Sequence, residues 1–364
     1  MSKFVFQSPA RYVQGNGVLE DLGAEIETIG QKPLLLADAT VWEIVQETVE
    51  ESLGNEVEYN YEEFGEEASD TEIDRVSEVA KEQEADVIVG IGGGKTLDAA
   101  KAIADSINLP VVIVPTAASM DAPTTAIAAI YSDEGVFEEY RFYDNNPDLV
   151  LVDTGVIVEA PTAMFASGMA DAIATAVEYE AAIRTNADTM SGGKTTVAGG
   201  AIAKAARDTV FKYGRQAFKA VDENVVTFAV ERVVEANTLL SGLGGENVPL
   251  AAAHAIHNGF TALDGDVHDL SHGEKVAFGI LTQLVLDGFE EDEILKYVSF
   301  FRDTGMPVTL EDMHLADAPF EDLVKVGEVA ADEDETLVNM DPNITAEDVA
   351  HAILAVDIIS RSNE

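Results

Sequence analysis

Short apolar runs alternate with amphipathic stretches over the first 160 residues, and this alternation limits the folds open to the chain. The runs are apolar over most of their length: PLLLAD at 33–38, DVIVGIG at 86–92, PVVIVPT at 110–116 and DLVLVD at 148–153. Between the first two runs, TEIDRVSEVAKEQEA places apolar residues at helical spacing. We therefore predict an α/β domain with a parallel sheet that helices bury on both faces.

The sequence changes character twice beyond these runs. The stretch AIAAIYSDEGVFEEYRFY has two alternating segments on either side of Asp133, Glu134 and Gly135, which predicts a small β-hairpin beside the main sheet. After Pro161 the long segments carry helical periodicity without a convincing strand. We predict two domains, an α/β domain at 1–160 and an all-α domain at 161–364.

The charge of the chain excludes some partners. Its 68 Asp and Glu residues outnumber 21 Lys and Arg residues and give a net charge of −47, which repels the phosphate backbone of nucleic acids. We find no run that predicts a membrane span and no signal peptide, and we expect a cytoplasmic protein. The acidic residues are spread along the chain. This favours a halophilic source, where molar salt shortens the Debye length to about 3 Å, over an ordinary solvated acidic face.

A glycine-rich turn lies between a predicted strand and a predicted helix. The stretch VIVGIGGGKTLDAAKAIA contains Gly92, Gly93, Gly94 and Lys95 at this junction. Glycines let a ligand approach the backbone, and the N-terminus of a helix favours an anion. The turn matches neither the standard dinucleotide fingerprint nor the P-loop, so a plain tight turn remains the alternative to a phosphate site.

Polar residues also follow two other predicted strands. Asp38 ends the run LLLAD, where a carboxylate can bind an adenosine ribose or simply start the next helix. The loop VPTAASMDAPTTA brings Thr116, Ser119 and Asp121 to the carboxyl edge of the sheet, where open α/β sheets bind ligands. Taken alone, Asp121 fits a turn better than a site.

Four of the six histidines lie within AAAHAIHNGFTALDGDVHDLSHGEK, at positions 254, 257, 268 and 272. Ser271 and Glu274 have the spacing of a capping box, which makes His272 the first residue of a helix and leaves His268 on the loop before it. The cluster favours a metal or proton-transfer role about as strongly as a set of satisfied polar residues. The chain has no cysteine, so any metal needs histidine, carboxylate or backbone ligands.

An aspartate inside a predicted apolar helix is the other unusual feature. Asp171 lies in SGMADAIATAVEYEAA among small and apolar residues. A carboxylate that is buried in the middle of a helix needs a compensating partner. A metal ion would be one such partner.

Together these stretches resemble the glycerol dehydrogenases of the iron-containing, group III metal-dependent alcohol dehydrogenase family. The resemblance rests on GIGGGKTLDAAKA, VPTAASMDAPTTAIAAIY, NPDLVLVDT, SGMADAIATAVEYEA, and AAAHAIHNG with SHGEKVAFGILTQLVL, in the family's order from residue 90 to about 286. It implies a dehydroquinate synthase-like architecture with a Rossmann-like NAD-binding domain and a helical domain that binds metal and substrate. It also implies oxidation of glycerol at C2 to dihydroxyacetone. For the quaternary structure, the resemblance implies a homo-oligomer and suggests an octamer.

The resemblance further implies roles for single residues. Asp171, His254 and His272 would hold a divalent ion, zinc in preference to iron or manganese, and would contact the substrate together with Asp121. Asp121 and His254 would act in catalysis. The implied NAD contacts are Asp38, Gly92, Gly93, Gly94, Lys95, Thr116, Ser119, Thr125, Ile127 and Tyr131. Two residues depart from the family pattern: Met120 stands where threonine is expected, and Thr125 where serine is common.

Three alternatives remain at this point. A sn-glycerol-1-phosphate dehydrogenase on the same scaffold needs cations for its phosphate, and the motifs supply few. A dehydroquinate synthase-like lyase would use NAD internally. A non-enzymatic acidic binding protein would leave the ordered motifs unexplained. A role for His257 or His268 in relaying the substrate proton is a further hypothesis.

Overall fold

The computed structural model describes residues 2–54, 57–65 and 67–362. Its eight strands are β1 Tyr12–Gly15, β2 Pro33–Ala37, β3 Asn60–Glu63, β4 Val87–Gly92, β5 Val111–Pro115, β6 Ile127–Tyr131, β7 Phe137–Phe142 and β8 Leu149–Asp153. Six of them form a parallel sheet in the order β1-β8-β5-β4-β2-β3. Strands β6 and β7 form a separate antiparallel pair, with Ile127 opposite Phe142. The predicted parallel sheet and hairpin are both confirmed.

Helices cover this sheet and form most of the regular structure in the rest of the described chain. In the α/β part they are α1 Leu22–Ile26, α2 Ala39–Leu53, α3 Asp70–Glu82, α4 Gly94–Ile107 and α5 Thr154–Ile157. The others are α6 Thr162–Ala182, α7 Val197–Val221, α8 Phe228–Glu235, α9 Ser241–Asn247, α10 Ala252–Gly259, α11 His272–Leu286, α12 Glu291–Asp303, α13 Phe320–Ala330 and α14 Ala346–Arg361.

The central strands β2, β4, β5 and β8 are buried along their whole length, as their uninterrupted apolar runs predict. Alternate side chains enter two separate cores. Leu34 and Leu36 pack on one face of the sheet, where α3 and α4 lie, whereas Leu35 and Ala37 pack on the other, where α1 and α2 lie. The sheet is therefore covered on both sides.

Strands β1 and β3 were not predicted from the sequence. Each has four residues, lies at an edge of the sheet, and is at most half-buried. The sequences YVQG and NYEE lack a sustained apolar pattern because an edge strand pairs on one side only. The parallel neighbours β8 and β2 supply the pairing that makes them strands.

Helix α6 forms the centre of the helical part. It is buried along nearly all of its length, and α7 and α11 pack against it. Past Asp153 the described residues contain only helices, turns and one isolated bridge, from Lys194 back to Phe4. The predicted helical half is thus confirmed, while the exact boundary at residue 160 stays a prediction. None of the described helices is long and apolar enough to span a membrane.

Candidate metal centre and active site

Three side chains from three helices meet where the carboxyl edge of the sheet faces the helical part. Asp171 comes from the middle of α6, His254 from α10, and His272 from the first turn of α11. The Nε2 atoms of both imidazoles lie 3.4 Å from the same oxygen, Oδ1 of Asp171. The carboxylate is buried and the two imidazoles are partly exposed, so the cluster is open to solvent on the histidine side.

The capping box predicted before His272 is present and fixes this helix start. The Ser271 hydroxyl accepts from the Glu274 amide, and the Glu274 carboxylate accepts from the Ser271 amide. Next to the cap, the amide of Gly273 donates to Oγ of Ser167 on α6. A side chain at position 273 would collide with the Ser167 backbone, so glycine permits the close contact between the two helices. His268 lies on a short 3-10 turn, Asp266–Asp269, rather than on an irregular loop.

The spacing of the three donor atoms fits a shared divalent ion better than direct hydrogen bonds. A distance of 3.4 Å exceeds the usual 2.7–3.2 Å of an N–H···O bond. Two ligand atoms bound to one tetrahedral zinc stand about 3.3–3.5 Å apart. The donor set, one carboxylate and two imidazoles, is a ligand set that a catalytic zinc accepts while keeping one position open.

The hydrogen bond on the far side of His254 supports the same fit. Its Nδ1 lies 2.6 Å from Oε2 of Glu178. This carboxylate is fully buried and lies two turns after Asp171 on the same face of α6. Glu178 also accepts from the backbone amides of Ala251 and His254. A proton held on Nδ1 by Glu178 leaves the Nε2 lone pair aimed at Asp171. A lone pair facing a carboxylate needs a positive charge between them.

The electrostatics of the cluster show the same demand for positive charge. Burial lowers the pKa of His254, but the nearby carboxylates of Glu178 and Asp171 outweigh burial and raise it well above the usual value. Burial likewise opposes ionisation of Asp171, yet His254 and His272 hold its pKa below the usual range. Burial and then the charge of Asp171 raise the pKa of Asp121 to about 7. A metal ion would supply this charge in place of a proton.

His257 packs against the cluster from behind. Its Nε2 lies 3.1 Å from Nδ1 of His272, and the two rings meet edge to face. Burial, followed by the charges of His272 and His254, lowers the pKa of His257 well below the usual value. His268 is elsewhere, because its Nε2 contacts the carbonyl oxygen of Leu263 at 2.5 Å. Three of the four clustered histidines therefore converge, and the fourth does not.

The loop VPTAASMDAPTTA, which follows β5, reaches this cluster directly. The amide of Asp121 donates to Oδ2 of Asp171 at 3.1 Å. Two residues before Asp121, the carbonyl oxygen of Ser119 accepts from the hydroxyl of Ser167 on α6. The loop is thus fixed to the helix that carries the carboxylate, and Asp121 lies next to the three convergent side chains.

The glycine turn lies at the same edge of the sheet. Gly92 ends β4, Gly93 is the N-cap of α4, and Gly94 is its first residue. The amide of Thr116 donates to the carbonyl of Gly92. A Cβ at Gly94 would lie 2.6 Å from Sδ of Met120, so the residue that departs from the family pattern packs on the first turn of α4. The turn offers an anion the free amides of a helix N-terminus, next to the loop that carries Met120 and Asp121.

The remaining residues predicted to contact NAD lie at several places in the α/β part. Nζ of Lys95 contacts Glu67 at 2.6 Å and lies 5.1 Å above the ring of Tyr131, at the end of β6. Thr125 is buried before that strand, and Ile127 starts it. Asp38 caps α2, accepting from the amide of Val41, which is the helix-start role that the sequence left open.

Two buried carboxylates and one buried lysine near the site escaped the sequence reasoning. Glu178 follows Asp171 by seven residues, two turns along one face of α6, and this spacing was the available signal. Asp98 and Lys101 lie in the quoted stretch GKTLDAAKA and form a buried ion pair of 2.8 Å. Lys101 also donates to the carbonyls of Ala122 and Ile127, so α4 holds both ends of the segment that carries Thr125.

Replacing Lys101 by methionine is expected to destabilise the fold by about 3–5 kcal/mol, because the Asp98 carboxylate is left buried without its counter-charge. The free energy of unfolding from urea titration in high salt measures this change. The control is Lys32→Met, which breaks the more exposed pair with Glu84 and is expected to change the free energy of unfolding far less. Equal losses in the two variants would show that the buried pair does not anchor the loop.

A parallel sheet joined to a helical half, with two histidines and an aspartate converging where the halves meet, is a dehydroquinate synthase-like architecture with a candidate site for a divalent ion. The sequence profile of the iron-containing alcohol dehydrogenases matches residues 9–154. A glycolaldehyde reductase of Halobacterium salinarum is 42% identical over 98% of both chains. A glycerol dehydrogenase of Escherichia coli O6:H1 is 44% identical over 97% of this chain and 96% of its own.

A solved structure matches along the whole chain as well. The crystal structure of glycerol dehydrogenase from Schizosaccharomyces pombe superposes with a TM-score of 0.94 at 42% identity, covering 100% of this chain and 92% of that one. The protein belongs to the iron-containing alcohol dehydrogenase family and is an oxidoreductase.

Proposed function

We propose that the protein is an NAD-linked, metal-dependent dehydrogenase that oxidises glycerol to dihydroxyacetone. The observation that carries the proposal is the convergence of Asp171, His254 and His272 at the spacing of metal ligands beside Asp121 and the glycine turn. Full-length relatives named glycerol dehydrogenase support the substrate. The reaction balances as glycerol and NAD⁺ giving dihydroxyacetone, NADH and a proton.

Different groups of the protein would bind the cofactor, hold the metal ion and orient its ligands. The N-terminus of α4 at Gly93 and Gly94 would receive the pyrophosphate of the dinucleotide, close to the cluster. Asp171, His254 and His272 would hold the ion, with zinc as the preferred metal. When bound, the ion supplies a positive charge that polarises the hydroxyl of the polyol and favours loss of its proton as hydride leaves. Glu178 keeps the Nε2 lone pair of His254 directed to the site.

Reduction of glycolaldehyde is the second candidate activity, because the full-length relative from Halobacterium salinarum carries that name. Both substrates offer two neighbouring oxygens to the site, so the metal centre alone does not separate them. The charge of the pocket argues against a phosphorylated polyol. Lys95 is already paired with Glu67, and Lys275 is half-buried with a pKa that burial lowers.

Removal of the metal is expected to abolish NADH formation from glycerol, and zinc or manganese is expected to restore it. The measurement is absorbance of NADH in about 3 M KCl after treatment with a chelator, followed by addition of each ion. Comparing kcat/KM for glycerol, glycolaldehyde and glycerol phosphate in the same buffer ranks the candidates. Full activity of the demetallated protein would refute the metal's role, and no net NADH from any polyol would favour a lyase.

The halophilic source and the oligomeric state are also proposals. The net charge of −47 and the full-length relative from Halobacterium salinarum support adaptation to high salt. The octamer rests on family resemblance alone, and sedimentation in high salt would test it.

A further inference from the structure

A chain of hydrogen bonds leads from His272 away from the metal centre to an acidic segment of the helical half. Nδ1 of His272 lies 3.1 Å from Nε2 of His257. Nδ1 of His257 lies 3.0 Å from Oδ1 of Asn258. The amide Nδ2 of Asn258 donates to Oε1 of Glu335 at 3.0 Å. All four side chains are partly buried.

The acceptor at the end of this series fixes which atom donates in each of its hydrogen bonds. With Glu335 ionised, its oxygen only accepts, so Asn258 presents Nδ2 to Glu335 and Oδ1 to His257. His257 must then carry its proton on Nδ1 and accept at Nε2. His272 in turn donates from Nδ1, which leaves the lone pair of its Nε2 facing Asp171. That is the tautomer a metal ligand requires.

Glu335 is held firmly enough to act as this anchor. It belongs to ADEDETLVNMD, an acidic run that otherwise resembles a solvated surface segment. Its carboxylate accepts from the amide of Thr336, whose hydroxyl donates to the carbonyl of Ala251 at 2.6 Å. The side-chain amide of Asn339 donates to the backbone carbonyl of Leu250. These two bonds hold the acidic segment against Leu250 and Ala251, the residues just before α10.

We propose that His257, Asn258 and Glu335 are positioning residues that set the tautomer and ring orientation of His272 for the metal. The inference rests on the proposed function, since it assigns these residues to the metal centre. The two imidazole ligands are then supported differently. On its Nδ1 side, His254 meets a carboxylate directly at Glu178, whereas Nδ1 of His272 connects to one through a neutral imidazole and an amide.

The test compares the affinity of the full-length protein for Zn²⁺ by competition with a chromophoric chelator. His257→Phe and Asn258→Asp are each expected to weaken Zn²⁺ binding by about 10–100-fold, the usual effect of removing a ligand's supporting partner. Asn258→Asp places a second carboxylate against Glu335 at the 3.0 Å contact. The absorption spectrum of the Co²⁺-substituted protein should change in the same variants, because it reports ligand geometry.

A double variant tests whether weaker Zn²⁺ binding comes from lost positioning of His272 or from nonspecific disruption of the structure. Combining Asn258→Asp with Glu335→Gln restores a donor opposite the new carboxylate and keeps an acceptor for Nδ1 of His257, so metal affinity should return toward the wild-type value. Matched controls are His268→Phe, outside the chain, and Asp334→Ala, the exposed neighbour of Glu335. Both should bind Zn²⁺ as the wild type does.

The outcomes distinguish the two proposals. A wild-type protein that binds Zn²⁺ tightly, with His257→Phe and Asn258→Asp unchanged in affinity and Co²⁺ spectrum, would overturn the positioning role alone. Absence of rescue in the double variant would also overturn it. A wild-type protein that binds no divalent ion would overturn the proposed function and the inference together. Thermal unfolding of the metal-free variants shows whether each one is folded.

Discussion

Replacing Asp171 by asparagine is expected to remove the metal and to lower glycerol oxidation by about 10³-fold or more. The substitution keeps the shape of the side chain but removes the negative charge that lies 3.4 Å from Nε2 of both imidazoles. A Lewis acid contributes several kcal/mol to the transition state, and about 4 kcal/mol corresponds to about 10³ in rate. The measurements are metal content per chain and kcat/KM for glycerol with NAD.

A control on the same helix is Glu180→Gln. The Glu180 carboxylate pairs with Arg207 on α7, outside the metal centre, so metal content and kcat/KM should stay near the wild-type values. If Asp171→Asn retained both its metal and its activity, the three-residue centre would not be the site of the reaction. Loss of activity with unchanged metal content would instead place Asp171 in substrate binding only.

Transfer from about 3 M to about 0.1 M KCl is expected to lower the unfolding temperature by about 20 °C, because the Debye length lengthens from under 3 Å to about 10 Å. At low salt the 47 excess negative charges repel one another across the folded surface. On α2, for example, Glu43, Glu47, Glu50 and Glu51 are all exposed. Repulsion of about 5–10 kcal/mol, at about 2–4 °C per kcal/mol, gives a change of this size.

The matched control for the salt effect is a neutral osmolyte. Sucrose strengthens burial by exclusion from the surface without screening charge, so it should recover much less of the lost stability than KCl does. Calorimetric or fluorescence melts of the same sample in both series measure the difference. Equal melting temperatures in 0.1 M and 3 M KCl would contradict the halophilic interpretation, and full recovery in sucrose would show that charge screening is not the cause.

The parallel sheet, the hairpin and the helical half were predictable because their signals are local. A buried parallel strand needs an unbroken apolar run, and a helix start needs a capping residue, so β2, β4, β5, β8 and the start of α11 are visible in single segments. The edge strands β1 and β3 were not predictable, since their conformation depends on neighbours that lie far away in the sequence.

The sequence by itself determined the architecture and supplied the candidate residues. The implied metal set came from family resemblance, because the histidine positions alone left open whether any of them binds a metal. Only the tertiary structure brings Nε2 of His254 and Nε2 of His272 to one oxygen of Asp171, through the packing of α6 against α10 and α11. It alone places Glu178 behind one imidazole and Glu335 at the end of a hydrogen-bonded chain behind the other. The reason is physical: helical periodicity specifies which face a residue occupies, whereas the neighbour opposite that face depends on how distant segments pack.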